Sequence, residues 1–577
     1  MSNSPLNNDA YEAVLRVAFS AARAVVDRYR TKLLRDRNVV DVQTGFKFTN
    51  GWPTDTPCVV VTVLNKLPES ALGDQLLPTE LDGIPVDVAP ATPAQQYLHL
   101  NKTKAGTRAA VATPSGVSAE RLLAHGETPA VEEVTRGTAR PGRAYLEPKD
   151  LKLAPVTGAM TLLCHASPDA GWSTLQKFLK DTKKTLTIAM YDFTAKHVFE
   201  GVKDAAVNSS GTLTLNLDRK SNPKREGEMT EEQVVDELKA ALKERFDSST
   251  AAVGVLYPNA YHIKVAVRDS NQFWLSSGNW QGSNQPSEDA SKLDPAAQRR
   301  LLSGHNREWH VISDNAKLAK TFEGYIKFDV AEARRVAADG TRGLVPPALP
   351  DLVLPDESTV RAPMKEVKIF PAKKFTFTAA DPVRVQPLLT PDNYGENVVK
   401  LILSAKKSLY FQNQYIMVPS TFPDGMGKPG LKELVEALLD RQKAGVDLRI
   451  ILRNGGNARE MLQSMKSFGF DMSKVKMLGG CHNKGIVVDS QVAMVSSQNY
   501  SADGVRFNRD AGLIIYSPKV AKYYGQIFEY DWDVRATQNL TTERGAMPLL
   551  PEVAKLDKTR GTRAAQQTIS WDEFYQD

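Results

Sequence analysis

Residues 481–500, CHNKGIVVDSQVAMVSSQNY, decide the fold prediction because the chain carries their pattern twice. The stretch is a nearly continuous apolar run, typical of a buried strand, with a few polar side chains set into it. Residues 261–280, YHIKVAVRDSNQFWLSSGNW, repeat those polar positions: relative to His, Lys lies at +2, Asp at +7, Ser at +14 and +15, and Asn at +17. Core packing does not call for a repeated polar register, since buried polar groups cost free energy. The pattern predicts one site built from two half-sites.

The predicted secondary structure repeats together with the motifs. Residues 182–193, TKKTLTIAMYDF, align with residues 405–416, AKKSLYFQNQYI, at an offset of 223, and His262 and His482 are 220 residues apart. Helical and strand patterns alternate around both motifs, and each motif predicts an antiparallel hairpin. The chain is therefore predicted to be α/β, with an internally duplicated unit of roughly 180 residues.

Composition and periodicity predict further segments outside the duplication. An amphipathic pattern over residues 8–35 predicts a helix, and packing on the strands that follow is favoured over a position on a membrane surface. Ala, Thr, Gly and basic residues predict a connector, and a Pro-rich stretch predicts an extended linker. The division is a small α+β accessory module (1–90), a connector (91–155), the first half (156–335), a Pro-rich linker (336–366), the second half (367–545) and a tail (546–577).

The composition is that of an ordinary globular chain and excludes several classes of protein. The 577 residues are 42% hydrophobic and 24% charged, and the net charge of +6 is a weak bias that tolerates phosphate-bearing partners without demanding nucleic acid. Cys58, Cys164 and Cys481 form no CxxC pair, so neither a disulfide framework nor a zinc site is indicated. No secretory signal is visible, and no apolar run approaches the roughly 18 residues of a membrane span. We expect a soluble cytoplasmic protein without a transmembrane segment.

Two HxKx4D motifs, each followed by Ser and Asn at fixed offsets, resemble the phospholipase D superfamily. The resemblance covers about 160–335 and 365–535 and points to a bacterial phospholipase D-like protein. In one departure, Ser276 and Ser496 stand where the family often has Gly before the Ser and Asn. The resemblance implies two α/β sandwich halves that face each other across a pseudo-two-fold axis, with both histidines in one cleft. The matching residues are His262, Lys264, Asp269, Ser277 and Asn279 in the first half and His482, Lys484, Asp489, Ser497 and Asn499 in the second.

Cleavage of a phosphodiester needs a nucleophile, an acid for the leaving group and cations on the non-bridging oxygens. Imidazole can serve as nucleophile or acid near neutral pH. By resemblance, one histidine becomes a phosphohistidine; we assign His262 as nucleophile and His482 as acid and base, although the reverse assignment stays open. Lys264, Lys484, Asn279 and Asn499 are expected to direct donors at the phosphoryl oxygens, with no cofactor and no metal.

Four carboxylates divide into two predicted roles. Asp269 and Asp489 lie on the opposite strand face from His if the strand continues, so they are expected to be structural and to pin each hairpin. Glu308 and Asp510, in the matching segments NRE and NRD, are better placed to orient the imidazoles. Their offsets from the histidine of the same half, 46 and 28, imply an insertion of 18 residues around 284–303, expected to form a loop beside the cleft.

The substrate class is open at this stage. A phospholipid headgroup is favoured, with hydrolysis and transfer to alcohols both permitted and with transient contact to a membrane surface. A nuclease is the alternative, kept because Trp274, Trp280, Tyr500 and Phe507 lie near the motifs and aromatic rings can stack on bases. A non-catalytic adaptor is the third possibility. Because one chain carries both motifs, a monomer is expected to suffice for catalysis.

Overall fold

The computed structural model describes residues 8–36, 38–64, 66, 77–91, 95, 96, 99, 145–218, 227–253, 256, 257, 260–338, 352–355, 366–418, 430–455, 458–501, 503–540 and 566–569. Most of the predicted connector, Pro-rich linker and tail lies outside these residues. The predicted α/β class and internal duplication are confirmed by two sheets of eight strands each. No helix within the described ranges combines the length and the apolar character that crossing a bilayer requires.

The N-terminal module is one helix on a four-stranded sheet. Its elements are α1 (Asn8–Leu33), β1 (Val39–Thr49), β2 (Trp52–Val63), β3 (Glu80–Leu81) and β4 (Ile84–Pro90). The strand order is β1-β2-β4-β3, and α1 packs on the sheet through the buried side chains of Ala22, Val25 and Val26. This agrees with the favoured prediction for the first helix.

The first half alternates strands and helices on both sides of its motif hairpin, β10–β11. Its elements are β5 (Val156–Gly158), β6 (Met160–Ser167), α2 (Gly171–Lys180), β7 (Leu186–Met190), α3 (Lys196–Asn208), β8 (Leu213–Leu217), α4 (Glu231–Leu242), β9 (Phe246–Thr250), β10 (Lys264–Arg268), β11 (Gln272–Ser276), α5 (Pro295–Gly304), β12 (Glu308–Ser313) and α6 (Ala316–Ala338). The predicted insertion contains α5, so it is a helix with its flanking turns and not a loop.

The second half repeats this order around the hairpin β19–β20. Its elements, with those of the linker and the tail, are β13 (Leu352–Pro355), β14 (Lys373–Phe377), β15 (Val383–Thr390), α7 (Tyr394–Leu403), β16 (Ser408–Gln412), α8 (Leu431–Lys443), β17 (Asp447–Arg453), α9 (Ala458–Phe468), β18 (Val475–Leu478), β19 (Lys484–Val488), β20 (Val492–Ser496), β21 (Asp510–Tyr516), α10 (Pro518–Tyr530) and β22 (Gln566–Ile569). A π-helix, Asp503–Phe507, stands where the first half has its insertion. β13 and β22 form an antiparallel pair of their own.

The two large sheets have the same strand order, and each contains a strand from the other half. The first sheet runs β14-β6-β12-β11-β10-β7-β8-β9, and the second, read in the same direction, runs β5-β15-β21-β20-β19-β16-β17-β18. β5 pairs with β15, and β14 pairs with β6. The predicted halves 156–335 and 367–545 therefore do not each enclose a complete sheet, because each borrows an edge strand from the other.

Each motif hairpin turns at two residues with positive φ. Asp269 and Ser270 have φ of 52° and 54°, and Asp489 and Ser490 have φ of 51° and 55°. Positive φ at both central residues suits a two-residue turn whose twist matches that of the strands. The Asp269 carboxylate also accepts hydrogen bonds from the backbone N–H groups of residues 183–185, and that of Asp489 from those of residues 406–408. Each aspartate thus joins its turn to the strand at the centre of the sheet.

The core between the sheets is shared by both halves, and complementary side-chain sizes fit them together. Leu275 and Val311 of the first sheet lie in one buried cluster with Val495 of the second. Trp309, fully buried, stacks on Tyr524 at 4.7 Å between ring centroids. A Cβ atom at position 485 would collide with the Trp309 ring, so Gly485 is what admits this large side chain across the interface.

The N-terminal module docks on α9 of the second half. Arg459 of α9 lies 2.5 Å from an oxygen of Asp87, and its guanidinium lies 3.9 Å from the ring centroid of Phe48. Lys466 on the same helix pairs with Asp55 at 2.5 Å. Phe48 belongs to the apolar cluster of the second half. The module is therefore packed against the second half through a mixed apolar and charged contact.

Candidate active site

The first half-site contains His262, whose orienting carboxylate comes from the other half. Nδ1 of His262 lies 2.7 Å from Oδ1 of Asp510. Ser497 donates a hydrogen bond to the same oxygen at 2.7 Å. A carboxylate on Nδ1 fixes the tautomer that leaves the lone pair on Nε2. Burial raises the pKa of the Asp510 carboxyl to about 7, although Lys264, Ser497 and Lys484 oppose this rise.

The second half-site mirrors this contact with the partners exchanged. Nδ1 of His482 lies 2.5 Å from Oε1 of Glu308, and Ser277 donates to Oε2 of Glu308 at 2.5 Å. Burial by itself would raise the pKa of the Glu308 carboxyl, but the charge of His482 and its hydrogen bond, together with Lys484 and Ser277, hold that pKa below its usual value. The sequence offsets had related each carboxylate to the histidine of its own half; the structure pairs them across the halves.

Both motif lysines are fully buried beside their histidines, in different positions. Lys264 Nζ donates to the His262 backbone carbonyl at 2.8 Å and lies 5.0 Å from the ring centroid of Tyr191. Lys484 Nζ lies 3.1 Å from both ring nitrogens of His482 and 3.5 Å from the Ser277 carbonyl oxygen of the first half. The second lysine therefore also joins the two half-sites.

The two motif asparagines are buried next to these groups. Asn279 is 0% exposed and Asn499 is 3% exposed. Among the described residues, neither amide atom of Asn279 and not the amide oxygen of Asn499 makes a hydrogen bond. The amide of Asn279 keeps its donor capacity, and such a donor inside a cationic site can bind an anionic oxygen.

Sequence analysis missed two buried arginines, Arg307 and Arg509, that join the half-sites. Each pairs with two buried aspartates, and we call each such group an arginine clamp. Arg307 bonds to Asp531 at 2.9 Å and contacts Asp169, and its backbone N–H donates to the Gly480 carbonyl at 2.8 Å. Because Gly480 belongs to the second half and Arg307 precedes Glu308, this clamp fixes Glu308 next to the His482 segment.

In the second clamp, an arginine of the second half contacts the segment before His262 in the first half. Arg509 lies 2.6 Å from oxygens of both Asp329 and Asp392, and its backbone N–H donates to the Ala260 carbonyl at 3.0 Å. The signal for both clamps was present in the sequence: residues 167–169, SPD, and 390–392, TPD, are separated by 223 residues, the offset at which the strands align. The tripeptides contain Asp169 and Asp392, and each has a cis proline bond.

The nuclease alternative rested on four aromatic residues near the motifs, and three of them are fully buried in the core: Trp274, Trp280 and Tyr500. Buried rings cannot stack on a nucleic acid base, so only Phe507 still supports that alternative. Tyr191 is partly exposed, and its ring lies 4.8 Å from that of His262. Gln414, which corresponds to Tyr191 by the 223-residue offset, is buried.

Two further histidines, His165 and His310, are buried in the core. His165 and His310 stack on each other at 4.8 Å in the core, and His310 bonds to Ser167 and Ser276. Burial lowers the pKa of His165 to about 3. No group of three His, Cys, Asp or Glu side chains that could hold a metal ion occurs in the described part of the chain.

Two facing sheets share one strand order, and each carries an HxKx4D half-site, as the resemblance to the phospholipase D superfamily implied. The second half of the chain is similar to phospholipase D-like domains. The family model described as "Cardiolipin synthase, PLD-like domain" matches residues 398–532, which contain the second motif and Asp510.

Two relatives extend the comparison. A cardiolipin synthase of Staphylococcus aureus strain Mu50 is 28% identical over 172 residues, which are 27% of this chain and 31% of the relative. A mitochondrial cardiolipin hydrolase of Xenopus tropicalis is 28% identical over 180 residues, which are 30% of this chain and 78% of that protein. The chain thus spans under one third of the length of the cardiolipin synthase that it matches.

A solved structure resembles this chain over a longer range. The crystal structure of phosphatidylserine synthase from Haemophilus influenzae Rd KW20 covers 70% of this chain and 94% of its own length, with 13% sequence identity and a TM-score of 0.42.

Proposed function

We propose that this protein is a phosphodiesterase that cleaves or exchanges phospholipid headgroups through a phosphohistidine, without a metal ion. The observation that carries the proposal is the crossed arrangement of two complete half-sites: each histidine is held at Nδ1 by a carboxylate from the opposite half. Such an arrangement supplies two imidazoles of fixed tautomer, two ammonium groups and two amides within one interface.

In the first step, Nε2 of His262 attacks phosphorus, and the bond from phosphorus to the headgroup oxygen breaks. His482, as imidazolium, gives its proton to the departing alkoxide, which leaves as the alcohol. Lys264, Lys484 and the two asparagines stabilise the negative charge on the non-bridging oxygens. The product of this step is a phosphatidyl group bound to His262 and a neutral His482.

In the second step, neutral His482 removes a proton from water or from an alcohol, and the resulting oxygen attacks phosphorus. The bond to His262 breaks and returns its electron pair to Nε2. Water yields a phosphatidic acid, and an alcohol yields a new phosphodiester. Hydrolysis and transfer differ only in the acceptor.

Phospholipid is the favoured substrate class because the matched relatives are named for cardiolipin synthesis and cardiolipin hydrolysis. The burial of Trp274, Trp280 and Tyr500 removes candidate stacking surfaces for single-stranded nucleic acid. For this reason lipid is preferred to DNA or RNA.

The test measures transfer in excess EDTA. Vesicles of phosphatidylglycerol or phosphatidylcholine are incubated with ethanol and the full-length protein, and single-stranded DNA is incubated separately. We expect phosphatidylethanol from wild type and none from His482→Ala. His305→Ala is the matched control: that imidazole contacts the carbonyl oxygen of Leu301, four residues before it, at 3.0 Å.

Each contrary result removes a defined part of the proposal. DNA cleavage without lipid turnover would identify a nuclease. Phosphatidic acid without phosphatidylethanol would argue against an intermediate that accepts alcohols. Loss of activity in EDTA would contradict the metal-independent reaction, and no turnover of any diester would favour a non-catalytic adaptor.

A further inference from the structure

We propose that Asn284 is a positioning residue that holds His482 in the role of general acid and base. The proposal rests on the proposed phosphodiesterase function. It concerns a residue at the start of the first-half insertion, outside both HxKx4D motifs.

Asn284 contacts both members of the second imidazole–carboxylate pair. Its Nδ2 lies 2.8 Å from Oε1 of Glu308, the oxygen that also contacts His482, and 3.3 Å from Nδ1 of His482 itself. The side chain is 1% exposed. Its amide oxygen accepts hydrogen bonds from Asn306 at 3.1 Å and from Ser283 at 2.7 Å. These donors turn the amide nitrogen toward the carboxylate.

The first half-site has a different amide beside its carboxylate: the side chain of Asn508, two residues before Asp510, hydrogen-bonds to Asp510. Asn284 follows Asn279 by five residues, and the residue five positions after Asn499 is Gly504. Gly504 lies in the π-helix that replaces the insertion, and a Cβ atom there would collide with the Asn499 backbone. No side chain can therefore approach Asp510 from this position without a shift of the backbone.

The amide of Asn284 favours the ionised form of Glu308. Oxygens of Glu308 accept hydrogen bonds from Ser277, Asn284 and His482, all of which stabilise the ionised carboxylate. Asn284 thereby fixes the position of Glu308, and Glu308 fixes the imidazole ring of His482 at Nδ1. Asp510 is buried and its pKa is raised to about 7, so it is a weaker fixed charge beside His262.

The test compares two leaving groups with Asn284→Ala. Protonation by His482 matters for choline release from phosphatidylcholine, whereas p-nitrophenol leaves a phosphatidyl-p-nitrophenol substrate without a proton. We expect kcat/KM for choline release to fall about tenfold to a hundredfold. The initial burst of p-nitrophenol should keep its wild-type rate, while the steady-state release after the burst slows, because His482 must still activate water.

Two further variants keep the test decisive. Asn284→Asp has the shape of the native residue but places a negative charge against Glu308, so it should show the same pattern with a larger loss. Ser291→Ala removes a local contact with Asp289 within the same insertion and should leave both substrates unaffected.

The outcomes separate this inference from the function on which it rests. Equal losses for both leaving groups would mean that Asn284 only supports the structure, and no loss for either would mean that it does not act on His482. Either result overturns the inference while wild type stays active. Absence of turnover by wild type on both lipids would instead overturn the proposed function.

Discussion

The two half-sites have one polar register and different surroundings. His262 contacts an aspartate, and His482 contacts a glutamate, in each case from the opposite half. Glu308, which has the longer side chain, lies next to Gly278, and a Cβ atom at position 278 would lie only 2.5 Å from its carboxyl carbon. The matching position in the second half is occupied by Gln498. A duplicated fold supplies symmetric scaffolding, but a two-step reaction needs one imidazole that attacks and one that carries protons. The differences between the half-sites are therefore where the chemical roles are decided.

The histidines give the largest expected effect. His262→Ala and His482→Ala should each lower kcat/KM for phosphatidylcholine by at least about 10⁴-fold. The nucleophile and the acid–base residue act together, so loss of either one prevents the reaction. With phosphatidyl-p-nitrophenol the two variants should differ: His482→Ala keeps a burst of p-nitrophenol, and His262→Ala does not.

This difference is measured by stopped-flow absorbance, with circular dichroism as the control for folding. A burst from His262→Ala and none from His482→Ala would reverse the assignment of nucleophile and acid. Identical behaviour of both variants would show that the asymmetry in the structure has no chemical consequence.

The carboxylates give the next largest effect and test the crossed pairing. Glu308→Gln and Asp510→Asn keep the side-chain shape but lose the charge, and each should cost up to about 10⁴-fold in kcat. Glu308→Gln should resemble His482→Ala in the p-nitrophenol burst, and Asp510→Asn should resemble His262→Ala. The opposite correspondence would mean that each carboxylate serves the histidine of its own half in solution.

The sequence contained the duplication, the polar positions of both motifs and the identity of the orienting carboxylates. A fixed register of His, Lys, Asp, Ser and Asn can be read without coordinates because the spacing within a strand determines which side chains share a face. The same reasoning also predicted the role of Asp269 and Asp489, whose carboxylates accept several backbone hydrogen bonds each.

The exchange of partners between the halves could not be predicted in the same way. Pairing of Asp510 with His262 spans 248 residues, and no local spacing encodes how two sheets face each other. For the same reason, the sequence could not predict that β5 and β14 each join the sheet of the other half. Asn284 was missed because it belongs to the unmatched insertion, where comparison of the two copies gives no information.

The arginine clamps should give a large effect on stability. Asp329→Asn and Asp531→Asn each remove one carboxylate from a fully buried arginine, and each should lower the free energy of unfolding by about 3–5 kcal/mol. Urea denaturation measures both. The exposed pair of Arg334 and Asp247 gives the control: Asp247→Asn should change the unfolding free energy by under about 1 kcal/mol. A small effect at only one clamp would show that the symmetric contacts do not contribute equally.

The hairpin aspartates should give a smaller effect that leaves the chemistry intact. Asp269→Asn and Asp489→Asn replace a charged acceptor of backbone hydrogen bonds by a neutral one, so each should destabilise the fold by about 1–3 kcal/mol. The kcat of the folded fraction, measured well below the unfolding transition, should stay close to wild type. A large fall in kcat without loss of stability would contradict the structural role assigned to these two residues.

The smallest effect concerns how stability depends on pH, and it has opposite signs at the two carboxylates. Burial raises the pKa of Asp510 to about 7, above the unfolded value of about 3.9. The stability that Asp510 contributes is therefore fully present below the unfolded value and is lost as the pH rises through about 7. The free energy of unfolding of wild type minus that of Asp510→Asn should fall between about pH 4 and pH 7.

Glu308 should behave in the reverse manner because His482, Lys484 and Ser277 hold its pKa below the usual value in spite of burial. Its contribution is present above the unfolded pKa of about 4.3 and is lost as the pH falls through the lower folded value. The difference between wild type and Glu308→Gln should therefore stay constant near neutral pH and decrease only in acid. Urea denaturation of all three proteins across pH measures both curves on one scale. If both differences in unfolding free energy changed with pH in the same direction, the two carboxylates would have the same protonation state. The substrate, and not the protein, would then have to determine which histidine attacks and which acts as the acid.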